Sequence, residues 1–540
     1  MARISGAPLS AEQTTAVRKP DAPTTAASLI EAMLREPAGR MSPSIYETAR
    51  LVSLAPWLTR HDERVEYLLR TQRTDGGWGP PEGYAMVPSL SATEAILTLL
   101  LRHPTDELIS AADRGLQWLN RWMAAARPVP DTPAIDLIVP ALTDTINEHL
   151  RRRDLPSGLR HWRANPRLPL PTGMNHTRLD AVQDLIEAGA PVPEKLLHAL
   201  EVTGDLARNA RGVLPPPSGV IGASPAATAA WLGTPGAGDQ GRALSYLEAV
   251  VDRHDGLAPC ATPVGLFERA WVIGSLTRAG IAVPASADLV ASLTADLSPA
   301  GTPAGPGLPP DADTTSVTLY ALAQLGTPMD PSCLWRYETE TGFCTWPGED
   351  GFSVTTNAHV LDAMHQHVIT RPNVGPHYRD AVRRLVRAIQ ARQLPDGSWE
   401  DRWHASPYYA TMCCCLALAE AAPSVAARSL TRAVRWVTAT QRPNGSWGRW
   451  SGTAEETAYA MQVLATAGPG AATATVALDR GREYLEANVE GRRVAPALWH
   501  DKDLYFPEMI VNAAVLAAQH IASVRQRDPS AAGGLAACPA

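Results

Sequence analysis

"QLPDGSW" (residues 393–399) recurs 48 residues later as "QRPNGSWG" (441–448), and a third version, "QRTDGGWG" (72–79), lies far upstream. Asp-Gly and Asn-Gly pairs favour tight turns that end a helix. Each version follows one apolar segment and precedes another. A spacing of 48 residues suits one helical hairpin per repeat. The three versions therefore predict stacked helical hairpins, with a structural tryptophan in each turn.

The segments around these turns have helical periodicity. In "YRDAVRRLVRAIQARQL" the apolar residues Val382, Leu385, Val386 and Ile389 follow helical spacing, with arginines on the opposite face. The segment "LTRAVRWVTATQ" shows the same pattern, and the alternation typical of strands is nearly absent. We therefore expect an all-α protein.

Composition excludes several classes of protein. A chain of 540 residues exceeds one ordinary core, so we expect two or three domains. A net charge of −7 and the lack of a basic stripe argue against a nucleic-acid partner. No apolar run reaches the roughly 18 residues of a membrane helix, and the first residues lack an apolar signal core.

The cysteines favour a reducing compartment. None of the seven cysteines forms a CxxC pair, and Cys413, Cys414 and Cys415 lie together in an apolar segment. We interpret these three as buried thiols rather than as metal ligands or disulfides. A cytoplasmic location is the expectation.

The repeated turn resembles the QW motif of class II terpene cyclases. Further segments resemble the branch of that family that cyclises prenyl diphosphates, and the resemblance covers about residues 42–520. These segments are "SPSIYETARLV" (42–52), "SPAATAAWL" (224–232), "YLEAVVDRHDGLAPCATPVGLFERAWVIGSLTRAGI" (246–281) and "LWHDKDLYFPEMIVNAAVLAA" (498–518).

This resemblance implies a domain arrangement. The family has two α/α-barrel domains, β and γ, with the active site between them. Carried over, it predicts a β domain built from 28–58 and 276–525, and a γ domain at 59–275. The composition of the terminal segments predicts unstructured tails at 1–27 and 526–540. The chain has no DDxxD metal motif, so a class I domain is not expected.

The stretch "LPPDADTTSVTLYAL" (308–322) contains the family's acid motif in a variant form. By itself, an aspartate before an apolar helix is a favoured N-cap. The family signature is DxDD, and here it reads DxDTT. The resemblance implies that Asp313 donates the proton, with Asp311 as its coupled neighbour and Thr314 able to orient the acid. Burial and a nearby carboxylate would keep such an acid protonated at neutral pH.

The resemblance also implies a lined cavity and a bound diphosphate. Aromatic faces stabilise carbocations, and the expected wall residues are Trp271, Trp335, Trp346, Tyr408 and Tyr409. Candidate cations for the diphosphate are Lys502, Arg269, Arg492 and Arg493. The family binds Mg²⁺ with acidic residues of the γ domain, and Asp131 and Asp136 are what remains of them here.

For the base that ends the reaction, the family can use a His–Asn pair that holds water. The histidine matches His198, but Cys260 stands at the asparagine position, so the pair is broken. Deprotonation in this protein can therefore use another group.

The predicted function is a protonation-initiated cyclase that converts a linear prenyl diphosphate to a bicyclic diphosphate. The preferred substrate is farnesyl diphosphate, giving drimenyl diphosphate, and the alternative is geranylgeranyl diphosphate, giving a copalyl-type product. A squalene–hopene-type cyclase and a non-catalytic α/α-barrel binding module are disfavoured. Mg²⁺ is the expected cofactor, and homo-oligomerisation stays open.

Overall fold

The computed structural model describes residues 22–125, 127–164, 167–234, 241–371, 373–467, 472–488 and 496–527. The helices in this part of the chain are α1 Ala22–Arg35, α2 Ile45–Leu54, α3 His61–Thr71, α4 Met86–Leu100, α5 Asp106–Met123, α6 Ile135–Arg151, α7 Thr177–Glu187, α8 Glu194–Leu197, α9 Pro225–Leu232, α10 Gly241–Arg253, α11 Gly265–Arg278, α12 Ala287–Thr294, α13 Ala312–Gln324, α14 Val354–Thr370, α15 Pro376–Ala391, α16 Pro407–Ala421, α17 Pro423–Ala439, α18 Ala454–Leu464, α19 Ala472–Asn488 and α20 Glu508–Arg527. Short 3₁₀ segments lie at Glu82–Ala85, Ser157–Ala164, Leu200–Ala207 and Pro331–Tyr337. The strands β1 Trp499–His500 and β2 Leu504–Tyr505 pair antiparallel.

One α/α barrel is built from the C-terminal half. Its inner helices α11, α13, α14, α16, α18 and α20 contact one another in this order, and α20 returns to α11. Helices α12, α15, α17 and α19 pack outside this ring, and α1 lies against α11 and α20. Buried apolar side chains from these helices form one continuous core. Val386 and Ile389 of α15 belong to this core, as their periodicity predicts.

A second ring is built from the N-terminal half. Helices α2, α4 and α6, the 3₁₀ segment Leu200–Ala207 and α9 contact one another in this order, and α9 returns to α2. Helices α3, α5, α7 and α10 pack outside it. The predicted all-α fold with two α/α barrels is therefore confirmed.

The predicted domain boundaries stay predictions, but the contacts suggest two shifts. Helix α2, within the predicted β segment 28–58, closes the N-terminal ring, and α11, mostly within the predicted γ segment 59–275, closes the C-terminal ring. The predicted tail 1–27 is too long, because α1 begins at Ala22 and Ala26 is buried. Residues 1–21 and 528–540 lie outside the described residues.

The repeated turns bond one hairpin to the next. In the middle version, the side-chain amide of Gln393 donates to Gly397 O and to Ser429 O on the following outer helix, at 2.9 Å each. The fully buried Trp399 donates from Nε1 to Ile389 O at 2.8 Å. The same pattern recurs in the other two versions, with Gln72 and Trp78 and with Gln441 and Trp447.

The turn also requires glycine. Gly397 has φ +105°, and a Cβ atom there would lie 2.6 Å from Arg432 O. The equivalent glycines, Gly76 and Gly445, have the same left-handed backbone and approach Arg114 O and Arg480 O in the same way. The structural role predicted for the motif is therefore explained by backbone geometry as well as by the tryptophan.

Two absences concern only the described part of the chain. No helix there is long and apolar enough to cross a membrane. The cysteines there form no disulfide, and Cys413, Cys414 and Cys415 are buried, as predicted.

Candidate functional site

A cavity of about 580 Å³ lies between the two rings. The N-terminal half contributes residues of α6, α7 and α8 and the segment before α6 to its wall. The C-terminal half contributes residues of α11, α13, α16 and the β1–β2 hairpin. Asp311, Asp313 and Thr314 are part of this wall. The acidic motif singled out from the sequence therefore faces this cavity.

Asp311 is the N-cap of α13. The backbone of Asp311 is extended, and its Oδ1 accepts a hydrogen bond from Thr314 N at 2.6 Å. The capping interpretation is thus correct for Asp311, which is 4% exposed. Asp313, one residue into the helix, makes no cap contact and lies against the cavity.

The Asp311 carboxyl group holds its proton unusually well. Burial first, and then the neighbouring Asp313 carboxylate, raise the pKa of Asp311 to about 8. Since coupled carboxyls titrate as a pair, the pair still carries a proton at neutral pH. The backbone and side chain of Thr314 oppose the rise by hydrogen bonding to Asp311.

His359, which sequence reasoning missed, contacts Asp313 directly. Nδ1 of His359 on α14 donates to Oδ1 of Asp313 at 2.7 Å, and the two side chains are 11% and 17% exposed. Burial alone would lower the pKa of His359, but Asp313 outweighs burial and raises it well above its usual value. The positive charge of the His359 imidazolium therefore lies next to the Asp313 carboxylate. No motif in "TTNAHVLDA" signals this role, because it depends on the packing of α13 against α14.

The aromatic predictions are partly met. Trp346 and Tyr409 line the cavity. Trp271 lines a smaller adjacent cavity of about 80 Å³, and its Nε1 donates to the hydroxyl of Tyr409 at 2.9 Å. Trp335 and Tyr408 do not line the large cavity, since they pack against Tyr378 and Trp436 instead. The wall aromatics that were missed are Phe267, Trp403, Trp499 and Tyr505.

Charged side chains collect where the cavity opens to solvent. Asp136 pairs with Arg178 at 2.9 Å, and Asp131 pairs with Arg402 at 2.9 Å. The side chains of Asp131 and Arg178 are 64% and 67% exposed, whereas Asp311 in the same wall is buried. Lys195 belongs to the same wall. We call Asp131, Asp136, Arg178, Lys195 and Arg402 the charged end.

The structure places Lys502, the cation predicted to bind the diphosphate, away from the cavity wall. Lys502 is 1% exposed and does not line the cavity. Its ammonium pairs with Glu47 and with Glu201 at 3.0 Å, and donates to Ser224 Oγ at 2.8 Å. A cation with these buried partners joins chain segments and has no donor left for a ligand.

The other cations predicted to bind the diphosphate are not found in the cavity wall of the described residues. Arg269 is half-buried outside the cavity wall, where burial lowers its pKa. Arg492 and Arg493 lie outside the described residues.

The two residues matched to the terminating pair differ in position. His198 lines the cavity, and its Nε2 donates to Asp501 Oδ1 at 2.7 Å. Cys260 is fully buried, is absent from the cavity wall and donates its thiol to Asp503 Oδ1 at 3.0 Å. The structure therefore brings His198, but not Cys260, to the cavity wall.

Comparisons with known proteins agree with this geometry. Residues 350–494 match the family model described as squalene-hopene cyclase C-terminal domain. Over 496 residues the chain is 40% identical to ent-copalyl diphosphate synthase of Streptomyces sp. strain KO-3988, covering 91% of this chain and 94% of the relative. It is 39% identical to copalyl diphosphate synthase of Streptomyces cyslabdanicus, covering 93% and 96%. The solved ent-copalyl diphosphate synthase of Streptomyces platensis superposes with a TM-score of 0.87 at 42% identity, covering 93% and 99%.

Proposed function

This chain belongs to the class II terpene cyclases, and we propose that it converts geranylgeranyl diphosphate to a bicyclic, copalyl-type diphosphate. The C20 substrate replaces farnesyl diphosphate as the preferred one. The observation that carries the proposal is one cavity whose wall contains the buried acid motif of Asp311 and Asp313 and the cations Arg178, Lys195 and Arg402. Its volume of about 580 Å³ lies within the roughly 300–1,000 Å³ typical of ligand pockets. The relatives named as copalyl diphosphate synthases support the longer substrate.

The reaction begins with proton transfer from Asp313 to the terminal double bond of the substrate. With the shared proton on Asp313, the imidazolium of His359 stabilises the carboxylate that forms as the proton leaves. This stabilisation favours transfer of the proton from Asp313 to the substrate. Asp311 then serves as the buried neighbour that keeps a proton in the pair.

The cavity wall then has to tolerate positive charge. Trp346, Tyr409 and Trp499 present aromatic side chains to the same space, and their π faces stabilise cations without supplying a nucleophile. Ring closure requires no further protein group, because the folded substrate supplies its own double bonds.

The diphosphate would be held at the charged end rather than by Lys502. Arginine forks suit phosphate oxygens, and Arg178 and Arg402 lie there beside Lys195. The described residues contain no group of three or more acidic, histidine or cysteine side chains suited to a metal. Mg²⁺ usually takes one or two carboxylates together with substrate phosphates, so Asp131 and Asp136 fit a Mg²⁺ ion bound with the diphosphate.

The test compares two substrates. Purified protein is incubated with geranylgeranyl or farnesyl diphosphate and Mg²⁺, treated with phosphatase, and the alcohols are identified by mass spectrometry. We expect a bicyclic C20 alcohol and a higher kcat/KM for geranylgeranyl diphosphate. A higher kcat/KM for farnesyl diphosphate would favour the drimenyl alternative. No bicyclic product from either, or release of inorganic pyrophosphate, would refute the proposal.

The charged end is tested separately. Lys195→Ala should raise KM with little change in kcat, because a binding contact made equally in ground and transition states affects KM alone. Lys19→Ala, in the segment before the described residues, is the matched control. An unchanged KM in Lys195→Ala would remove Lys195 from the diphosphate site.

A further inference from the structure

Two carboxylates in the cavity wall have no part in the steps above: Glu349, whose two oxygens accept from Arg402 and from Thr345 N, and Asp501. Asp501 follows β1, lines the cavity, and its side chain is 13% exposed. Its Oδ1 accepts from Lys502 N at 2.6 Å and from His198 Nε2 at 2.7 Å. Among the described residues, nothing hydrogen-bonds to the second oxygen, Oδ2.

The neighbouring groups cannot accept a proton as readily. Both ring nitrogens of His198 are engaged, Nε2 with Asp501 and Nδ1 with Gly222 O at 2.6 Å, so His198 acts as a donor on both sides. Both ring nitrogens of His500 also have partners, since Nδ1 donates to Arg402 O at 2.7 Å and Nε2 accepts from the Tyr84 hydroxyl at 3.1 Å. The ring nitrogens of these two histidines are therefore not free.

Asp501 is ionised in this setting. Burial alone would raise its pKa, but the His198 imidazole and the Lys502 ammonium outweigh burial and hold the pKa below its usual value. The pKa of His198 is raised in turn, since the Asp501 carboxylate outweighs its burial. Asp501 and His198 therefore form an ion pair with one carboxylate oxygen left over.

The acid and this carboxylate face the same space. Tyr505, which pairs with Trp499 across the β1–β2 hairpin, also lines the cavity. Burial raises the pKa of Tyr505, and the carboxylates of Asp501 and Asp313 both raise it further, so both charges lie within electrostatic range of its ring.

We propose that Asp501 Oδ2 takes up the proton whose loss ends the cyclisation, with His198 as its positioning residue. This inference rests on the proposed function. In the step, a C–H bond next to the cationic carbon breaks, its electron pair becomes the new carbon–carbon double bond, and the proton moves to Oδ2. One proton has entered from Asp313 and one leaves to Asp501, so the reaction is a balanced isomerisation.

The pairing of Asp501 suits this task. A tertiary carbocation gives up an adjacent proton even to a weak base, so a lowered basicity is no obstacle. The two hydrogen bonds to Oδ1 fix the side chain and reduce its nucleophilicity, which disfavours capture of the cation as an ester.

The test is the product profile of Asp501→Asn. Asparagine keeps an oxygen that accepts from His198 and from Lys502 N, and removes only the basic oxygen. We expect the wild-type alkene to form about 100-fold more slowly, as for loss of a general base, and hydroxylated or isomeric bicyclic diphosphates to appear. Asp503→Asn is the matched control, since Asp503 lies off the cavity wall; its product should keep the wild-type identity.

The outcomes separate the inference from the proposed function. If wild-type protein makes no bicyclic diphosphate, the proposed function fails. If wild-type protein makes the bicyclic diphosphate and Asp501→Asn gives only the wild-type alkene, whether fast or slow, Asp501 is not the base. Should Asp501→Asn not fold by circular dichroism, Asp501→Glu replaces it: a changed ratio of products supports the inference, and an unchanged ratio overturns it.

Discussion

Replacing His359 by asparagine should slow cyclisation and leave substrate binding intact. Asparagine keeps an N–H donor near the position of Nδ1, which contacts Asp313 at 2.7 Å, but removes the positive charge. His359 lines the small cavity behind Asp313 and not the large one, so it should not touch the substrate.

The size of the effect follows from the charge pair. Two unit charges about 4 Å apart interact by about 4 kcal/mol at an effective dielectric constant of about 20. That energy equals about three pKa units. If about half of it is felt when the proton is half transferred, kcat should fall about 30-fold, with about 1,000-fold as the upper bound.

The assay is single-turnover cyclisation of geranylgeranyl diphosphate, with substrate affinity measured separately. His365→Asn is the matched control, because His365 lies on the same helix and outside both cavities. A wild-type rate in His359→Asn would refute the reasoning, as would an equal loss of rate in the control.

Three further predictions concern the acid and the fold. The value of kcat/KM should fall about tenfold per pH unit above about pH 8, because the pair of Asp311 and Asp313 then loses its remaining proton. A kcat/KM that stays constant up to pH 10 would contradict this. Asp313→Asn should bind substrate with near wild-type affinity in equilibrium binding and give no bicyclic product; normal turnover would make Asp313 only a surface of the cavity. Trp447→Ala should lower the free energy of unfolding by about 3 kcal/mol or more in urea titrations, because it removes a fully buried ring and its bond to Val437 O, and a loss below about 1 kcal/mol would be inconsistent with that packing.

The fold could be predicted because its determinants are local. The Gln, Gly and Trp of each repeated turn act within one hairpin and on the next helix, as Gln393 and Trp399 do. The position of Asp311 before α13 was likewise readable, because an N-cap depends on three consecutive residues. Chain periodicity and turn chemistry carry this information directly.

The cavity could be predicted only in part, because it depends on which way side chains point after packing. A resemblance assigns Lys502 to a segment near the site, but the ammonium turns away into Glu47 and Glu201. His359 lies 46 positions after Asp313 and reaches it only because α13 and α14 are neighbours in the ring. Asp501 is the chain neighbour of Lys502, the predicted diphosphate ligand, and it is Asp501 that faces the cavity.

The most direct test of the central claim is cyclisation in heavy water. If Asp313 protonates the substrate and the diphosphate is retained, product formed from geranylgeranyl diphosphate in D₂O should carry one deuterium at the carbon that receives the proton. The product should still release its alcohol only after phosphatase treatment. A bicyclic product without solvent deuterium, or an equivalent of inorganic pyrophosphate released with it, would contradict the account.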